Sequence, residues 1–451
     1  MTSLRNMLFP VWIAIAGILA GCNSTSGPSI DILQIEGVAW ACNVTTSYAV
    51  FGSTSENEDL LEVHLPVSEG DLLYMLHDDL QFYYRYSPEN GNRIAVTFDT
   101  LQAVSVYLNG HLSYMELSGP ASLDAFKKLT GPEIEQLSAL HVKSSITNDL
   151  LPILQQHEIS LQGIGFILEG DNGMENLHDL LSIFRPRFLV IDDSWGLPDP
   201  EESQCLSNLE LLWIEGNVPA LAKLASCCTN LESLIVAQWE PEPGELLPLA
   251  RLKKLQTFTL AESGLTSLSV VEFPESLRNL YLISCDTLSD VNTLIDLKNL
   301  NRLALTQCNR VQGMDVLRTM ASLQWLSFPP NISHQEFAEL TGRFRQLEGV
   351  ELIDCWEIED LAPLQHLPEL KTLVLQLEKE QLSMLDSLEQ LKLVILTSEV
   401  FEDNSEWVKE LRLSLPNTTI VPGSGICLGS GWLLLLLPFI LIFRHYYRRK
   451  K

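Results

Sequence analysis

The sequence predicts an α/β solenoid, because one short hydrophobic phrase recurs along most of the 451 residues. The clearest copy begins at Leu300 and has apolar residues at Leu303 and Leu305, followed by Cys308. The same phrase returns thirteen times, with 21 to 26 residues between successive copies. A repeat of about 20 to 50 residues is the signature of stacked coils rather than of a globule.

Each copy contains two apolar residues separated by one free position, which predicts a short strand with one buried face. The last apolar residue of each strand falls at Leu117, Val142, Leu168, Ile191, Ile214, Val236, Leu260, Leu282, Leu305, Phe328, Leu352, Leu375 and Leu396. Since no single coil could bury this face alone, we expect the coils to stack on one continuous core. Outside the strands, Ser333 and Glu336 predict a capping box at the start of a helix.

This register resembles that of the leucine-rich repeat family over roughly residues 112–420, and most strongly from Leu206 to Leu396. The segment Glu410 to Ile420 is similar to the terminal coil of bacterial members. The resemblance implies a horseshoe of about 13 coils, with a parallel sheet on the concave face and helices or turns outside. It also implies that ligands bind the concave face. We assign the solenoid to residues 111–421.

Residues 23–110 lack the repeat and are interpreted as a Gly/Ser/Thr/Pro-rich tether followed by a small β-rich cap on the first coil. Alternating stretches at Ile30 to Phe51 and Ile94 to Leu108 predict strands. The aromatic run Phe82 to Tyr86 is typical of core or cap packing, and a platform for stacking sugars is the alternative. Solenoids need such caps to protect the end of the core.

Both ends of the chain predict attachment to a membrane. Residues 1–22 form an apolar export signal ending in Leu19 to Cys22, which resembles the bacterial lipobox. That resemblance implies cleavage before Cys22 and lipidation of this cysteine. An ordinary secretory signal is the alternative.

Residues 422–451 contain a Gly/Ser linker, an uncharged apolar segment from Ile426 to Phe443 and a basic tail. Eighteen residues span about 27 Å as a helix, close to the thickness of a bilayer core. The tail is predicted to be cytoplasmic and the solenoid extracytoplasmic. The pattern also resembles bacterial sorting signals that are removed, and a plain membrane helix is the alternative.

The charge of the chain excludes nucleic acid as a partner. There are 58 acidic and 29 basic residues, and six of the basic ones lie in the two terminal segments. The body therefore carries 23 basic residues and a net charge of −35. Such a body repels phosphate backbones and would attract a basic partner, although solubility alone also explains the charge.

Nine cysteines are present, and no motif for catalysis or for a cofactor accompanies them. Cys285, Cys308 and Cys355 occupy the turn position where the family places Asn or Cys, so we interpret them as structural. Cys205 and Cys227 hold equivalent positions in adjacent coils, where a disulfide is possible but not required. We predict no enzyme, no cofactor and no metal site.

The concave face is predicted to carry an apolar stripe for binding a partner. The free strand positions and their flanks contribute Phe188, Val190, Trp213, Ile235, Tyr281 and Trp325, and Asp192 and Glu215 form a rim. Aromatic anchors surrounded by polar residues are typical of protein-binding patches. The alternative is that the N-terminal region, a loop or another copy of the chain covers this stripe.

The sequence therefore predicts a non-catalytic recognition protein, exported and anchored in the bacterial cell envelope. We expect it to bind a protein or peptide, with basic ligands favoured by the charge. An adhesive or structural surface protein that binds polysaccharide is the alternative.

Overall fold

A computed structural model describes residues 31–425, apart from 39, 44, 46–47, 52, 55–60, 78–79, 144–148, 154–163, 170–180, 183–184, 193–205, 216–227, 242–243, 321, 383, 398–399 and 402–404. The predicted lipidation at Cys22, the membrane segment after Ile426 and the pair Cys205 and Cys227 lie outside these residues.

The predicted solenoid is confirmed. Fourteen strands of the described residues pair in parallel, each with the next along the chain. They are β10 (His111–Leu117), β11 (Ala139–Lys143), β12 (Gly165–Glu169), β13 (Phe188–Asp192), β14 (Leu211–Glu215), β15 (Ser233–Ala237), β16 (Thr257–Ala261), β17 (Asn279–Ile283), β18 (Arg302–Thr306), β19 (Trp325–Phe328), β20 (Gly349–Ile353), β21 (Thr372–Gln376), β22 (Leu393–Thr397) and β23 (Thr419–Gly425).

The thirteen predicted strands are β10 to β22, and β23 adds a terminal coil. Leu212 pairs with Leu234, Leu234 with Phe258 and Phe258 with Leu280 on successive rungs. These side chains are buried in one core that runs through the coils. Parallel strands stacked over one continuous core are the solenoid that the repeat predicts.

Where the structure describes the outer side of the solenoid, it contains turns and short helices. The α-helices whose full bounds lie within the described residues include α1 (Pro120–Phe126), α2 (Gly131–Gln136), α3 (His334–Thr341) and α4 (Ser405–Ser414). Short 3-10 helices span Leu249–Arg251, Leu268–Val270, Asn292–Asp296, Met314–Thr319, Ala362–His366, Lys379–Leu382 and Leu385–Ser387. The predicted capping box is confirmed at α3, where the Ser333 hydroxyl accepts from the backbone N–H of Glu336.

The structural role predicted for three cysteines is also confirmed. Cys285, Cys308 and Cys355 are buried, and their thiols donate to carbonyl oxygens of the preceding coil. The Sγ–O distance is 3.4 Å from Cys308 to Leu282. Asn331 does the same with its amide, which donates to the Val311 carbonyl at 2.8 Å. The turn position that holds Cys or Asn after each strand, here called the slot, thus links adjacent coils through hydrogen bonds from its side chain.

Residues 31–108, here the N-terminal β-region, contain nine strands and a 3-10 helix at Pro88–Asn90. The strands are β1 (Asp31–Glu36), β2 (Trp40–Asn43), β3 (Tyr48–Phe51), β4 (Ser53–Thr54), β5 (Leu61–Val67), β6 (Leu72–His77), β7 (Leu80–Arg85), β8 (Arg93–Asp99) and β9 (Ser105–Leu108).

The N-terminal β-region extends the solenoid sheet at both of its ends. Strand β9 pairs antiparallel with β10 of the first coil, as expected for a cap. Strand β3 pairs antiparallel with β23 of the last coil, which the sequence did not suggest. The result is one 23-stranded sheet in which the two ends of the horseshoe are bridged by the same segment.

Candidate functional site

The predicted partner-binding stripe lies in the interior of the protein. Each of the six apolar stripe residues is at most 8% exposed. They are Phe188, Val190, Trp213, Ile235, Tyr281 and Trp325. The prediction that this face is open to a partner is therefore wrong, and the alternative that the N-terminal region covers it describes the structure.

Direct contacts show how the N-terminal β-region covers the concave face. The ring of Tyr83 on β7 packs against Trp213 with centroids 5.8 Å apart. The hydroxyl of Thr259 on β16 donates to the carbonyl of Thr45 at 2.7 Å. The stripe and the apolar side chains of β1 to β9 form a single buried cluster. A partner cannot reach these side chains while the two parts are packed together.

The two acids of the predicted rim occupy paired backbone positions, with Asp192 opposite Glu215 on β13 and β14. Their side chains lie outside the described part of the structure, and a role in binding stays a prediction for them.

Polar groups inside this interface are held by hydrogen bonds. The Asp71 carboxylate accepts from the Asn43 amide at 2.7 Å and from the backbone N–H of Ser68 at 2.8 Å. Burial raises the pKa of Asp71, against the opposing effect of nearby Arg302 on β18. Burial likewise raises the pKa of Tyr281 to about 12. Asp71 of the N-terminal β-region and Tyr281 of the concave sheet thus both lie near the Arg302 guanidinium.

A second buried polar group lies further along the concave sheet. The Thr306 hydroxyl donates to the Glu351 carboxyl at 2.8 Å, and Ser327 lies beside both. Burial raises the pKa of Glu351 to about 7, although hydrogen bonds from Thr306 and Ser327 act in the opposite direction. Burial therefore favours the neutral form of the Glu351 carboxyl.

An open groove of about 860 Å³ runs between the N-terminal β-region and the edge of the sheet where the strands begin. One wall contains Gly70, Asp71 and the segment Tyr84 to Ser87. The floor is formed by the first residues of three neighbouring strands, Ser233 of β15, Thr257 of β16 and Asn279 of β17. Its volume lies in the upper part of the range for ligand pockets, roughly 300 to 1,000 Å³.

The floor of the groove carries polar atoms with unused hydrogen-bonding capacity. The Asn279 amide donates to the Thr257 hydroxyl at 3.0 Å. The Oδ1 atom of Asn279 and the Oγ atom of Ser233 have no hydrogen-bond partner among the residues that the structure describes. Asn279 is 7% exposed and Ser233 is 6% exposed. Both atoms have almost no accessible surface, so they are enclosed in the floor beneath the open space of the groove.

A charged cluster joins the two walls at one end of the groove. Arg85 of β7 donates to Glu210 at 2.6 Å, and Arg187 donates to both oxygens of Glu210 at 2.8 and 3.0 Å. Burial alone would raise the pKa of Glu210, but the hydrogen bonds from Arg187 and Arg85 lower it. Glu232 lies 3.8 Å from Arg85. The cluster holds the N-terminal β-region against the rim of the solenoid.

Sequence reasoning did not find this groove, although one signal was present. The first strand position is apolar or aromatic at Phe188, Leu211 and Trp325 and polar at Ser233, Thr257 and Asn279. It is also polar at Arg302 and Thr372, which do not line the groove, so the signal is not specific. A change from apolar to polar residues at the same position of successive repeats indicates that the side chains at this position move from a buried to a more polar environment.

The described residues contain no group of three or more His, Cys, Asp or Glu side chains placed to hold a metal ion. His141 hydrogen-bonds Tyr114 at 2.7 Å and lies 3.9 Å from Glu116. Among the helices in the described ranges, none has the length and apolar character to cross a bilayer.

No family model matches the chain. A human curated protein, the dual E2 ubiquitin-conjugating enzyme/E3 ubiquitin-protein ligase BIRC6, is 25% identical over 198 residues. Those residues are 43% of this chain and 4% of that protein, so the chain spans only a small part of its relative.

Several solved structures share the solenoid at low similarity. An internalin from Listeria monocytogenes superposes with a TM-score of 0.32 and 15% identity, over 68% of this chain and 86% of that one. The Drosophila Toll–Spatzle complex gives 0.43 and 13%, over 67% and 48%. The TLR13–ssRNA13 complex gives 0.36 and 16%, over 58% and 39%. With TM-scores below 0.5, none of these likenesses transfers a property to this chain.

Proposed function

We propose that this chain is a non-catalytic recognition protein of the bacterial cell envelope. Its ligand is a protein or a peptide, bound in the groove between the N-terminal β-region and the starts of β15, β16 and β17. The observation that carries this proposal is the groove itself, an open space of about 860 Å³ lined mainly by polar side chains of the N-terminal β-region and of the strand starts. A site for catalysis would need convergent acid, base or nucleophilic groups, and the groove lining offers mainly hydroxyl, amide and salt-bridged groups.

Filling of the concave face supports this location. The stripe is already packed against β1 to β9, and the groove beside it stays open at that interface. A groove between two packed parts of a chain is a common place for a ligand.

Anchoring in the envelope is part of the proposal. Asp31 at the start of β1 accepts a hydrogen bond from Tyr86 of the N-terminal β-region at 3.2 Å. Gly425 at the end of β23 pairs with Tyr48 of the same region. Both contacts involve the N-terminal β-region, and we propose that the two predicted anchors, a lipid on Cys22 and a helix after Ile426, enter a single membrane.

Selection from a random peptide library tests the binding proposal. Thr257→Trp places a large side chain on the groove floor and should abolish enrichment of wild-type sequences. Thr287→Trp is the matched control, because Thr287 is exposed and does not line the groove. Peptides enriched equally by both variants, or no enrichment by the wild type, would contradict the proposal.

Two further measurements test polysaccharide binding and membrane anchoring separately. An oligosaccharide array with the same variants tests polysaccharide binding, and groove-dependent glycan binding without peptide binding would replace the peptide proposal. Intact mass of the mature protein shows whether Cys22 carries a lipid and whether the segment after Gly431 is retained. An unmodified chain cleaved elsewhere would remove lipid anchoring.

A further inference from the structure

An open pocket of about 490 Å³ adjoins the groove at the edge of the solenoid where the strands begin. Three of its residues immediately precede successive strands, namely Glu232 before β15, Gln256 before β16 and Arg278 before β17. Backbone hydrogen bonds of 2.8 Å join Gln256 to Glu232 and Arg278 to Gln256, so these residues lie on neighbouring rungs. Lys253 and Lys254 line the pocket from the turn that leads into β16.

The lining of this pocket is positively charged in a protein whose net charge is −29. It contains three bases and one acid, which gives a local charge of +2. The acid, Glu232, is ion-paired with Arg85 of β7 at 3.8 Å. No acid among the described residues forms an ion pair with Lys253, Lys254 or Arg278. Like charges gathered without a counter-ion repel each other, and an anion bound between them relieves this repulsion.

Hydrogen bonds to neutral groups hold the three bases in place. The Lys253 ammonium donates to the Ala250 carbonyl and the Lys254 ammonium donates to Oδ1 of Asn230, both at 2.7 Å. The Nη1 atom of Arg278 donates to two backbone carbonyl oxygens of its own turn at 3.1 Å. These acceptors fix the side chains but leave their positive charges uncompensated. A lysine ammonium has three donors and a guanidinium has five, so each base keeps donors for a ligand.

A phosphate group matches this pocket in charge and in hydrogen bonding. A phosphate monoester carries a charge of about −1.5 to −2 at neutral pH and three strong acceptor oxygens. The pocket offers a charge of +2 and donors on all three bases. A carboxylate has only one charge and two oxygens, so it compensates the lining less completely.

The acidity of the whole chain does not prevent such binding. At physiological ionic strength the Debye length is about 8 Å, so distant carboxylates are screened. The nearby acid Glu210 is already bound by Arg187 and Arg85. Glu275, on the turn before Arg278, is exposed to solvent and is not part of the lining.

We propose that Lys253, Lys254 and Arg278 form a binding site for a phosphate group. This inference goes beyond the proposed function, because it does not require a peptide as the ligand. A soluble phosphate ester and the headgroup of an anionic lipid offer the same chemistry, and the experiment below distinguishes these two sources.

Phosphorus NMR of methyl phosphate, titrated at constant ionic strength with the chain that includes its N-terminal β-region, tests the site. We expect the signal to broaden and shift until the site is saturated, and we expect inorganic phosphate to reverse the change. Acetate should displace methyl phosphate at least tenfold less effectively, because a carboxylate carries a single charge. Equal displacement by acetate would overturn the assignment to phosphate.

Variants locate the contact. Arg278→Gln and Lys254→Gln should each weaken binding of methyl phosphate about tenfold, because each removes a charged donor. Lys371→Gln is the matched control, since Lys371 precedes β21 as Arg278 precedes β17 but is ion-paired with Glu348 at 3.1 Å and does not line the pocket. It removes the same charge from the chain and should leave the affinity unchanged within twofold.

Glu232→Gln tests the same site in the opposite direction. It removes the acid of the lining and should strengthen binding of methyl phosphate at least twofold. A gain in affinity cannot result from misfolding, so this variant keeps the test valid if Arg278→Gln is poorly folded.

Sedimentation with vesicles identifies the source of the phosphate group. If the source is a lipid headgroup, phosphatidylcholine vesicles that contain phosphatidic acid should carry down the wild type but not Arg278→Gln. Binding of methyl phosphate without sedimentation assigns the site to a soluble ester. The inference is overturned if methyl phosphate does not bind, or if Arg278→Gln and Lys371→Gln weaken its binding equally, since only the overall charge would then matter.

Discussion

Replacing Trp213 with alanine should lower the stability of the protein, because Trp213 lies in the core and not on an open binding surface. Trp213 is 6% exposed and packs edge-on against Tyr83 of the N-terminal β-region. An aromatic side chain of an open binding surface could be removed without unfolding anything. A side chain in the joint core of two packed parts cannot, because its loss leaves a cavity.

The magnitude follows from the buried area. A tryptophan side chain buries about 200 Å², and at roughly 25 cal/mol per Å² its burial contributes about 5 kcal/mol. The indole N–H of Trp213 has no hydrogen-bond partner among the described residues, so removing it relieves a penalty of about 1–3 kcal/mol. We therefore expect Trp213→Ala to lower the free energy of unfolding by about 3 kcal/mol, at the lower end of the range for such substitutions.

Urea unfolding followed by circular dichroism measures this change. Trp356→Ala is the matched control, because Trp356 is 55% exposed. Its loss should change the free energy of unfolding by no more than about 0.5 kcal/mol. Amide hydrogen exchange in β6 and β7 should also quicken in Trp213→Ala, since these strands cover the site. Equal stability of the wild type and Trp213→Ala, with unchanged exchange, would refute the placement of this residue in a core.

Three further results are expected. Burial raises the pKa of Glu351 from 4.5 to about 7, so the contribution of this group to stability is complete below pH 4.5 and is lost as the pH rises through about 7. Glu351→Gln should remove this pH dependence of the free energy of unfolding, which amounts to at most ~3 kcal/mol. The pKa of Glu210 is lowered in the folded protein, so its ion pair stabilises the fold above the unfolded pKa and this stabilisation is lost as the pH falls. A double-mutant cycle of Arg85→Ala and Glu210→Gln should give a coupling free energy of about 1 kcal/mol at neutral pH and a smaller one in acid, and the value is modest because the pair is partly exposed. Ser333→Ala should cost about 1 kcal/mol in thermal unfolding through loss of the cap of α3, and an unchanged melting temperature would contradict that cap.

The local features of the solenoid could be predicted because each repeats a short pattern. Buried leucines at fixed spacing define the strands, and Leu212 and Leu280 lie where the register placed them. The slot of Cys308 in the turn could be found for the same reason. In each case the physical cause lies within one coil and its neighbour, and the sequence shows both.

The position of the N-terminal β-region could not be predicted because its contacts are remote in sequence. Thr45 and Thr259 are hydrogen-bonded although they are 214 positions apart. An alternating strand pattern shows that β6 and β7 have an apolar face, but it does not show which other apolar face they meet. For the same reason the groove was missed, since its two walls come from distant parts of the chain.

An apolar concave face and an unrepeated β-rich segment are better explained together than separately. The concave face carries apolar side chains, among them Trp213, Tyr281 and Val374, and all three are buried. If this face were exposed to water, it would form a large apolar patch of the kind that soluble monomers avoid. The horseshoe alone would also expose the unpaired edges of β10 and β23, which invite association with other chains. The packing of β1 to β9 against the concave face buries this patch, and it also pairs the edge strand β10 with β9 and the edge strand β23 with β3. A segment that does all three is part of the folded core, so a ligand would have to bind on surfaces that this segment leaves open, and the groove beside Thr257 is one of them.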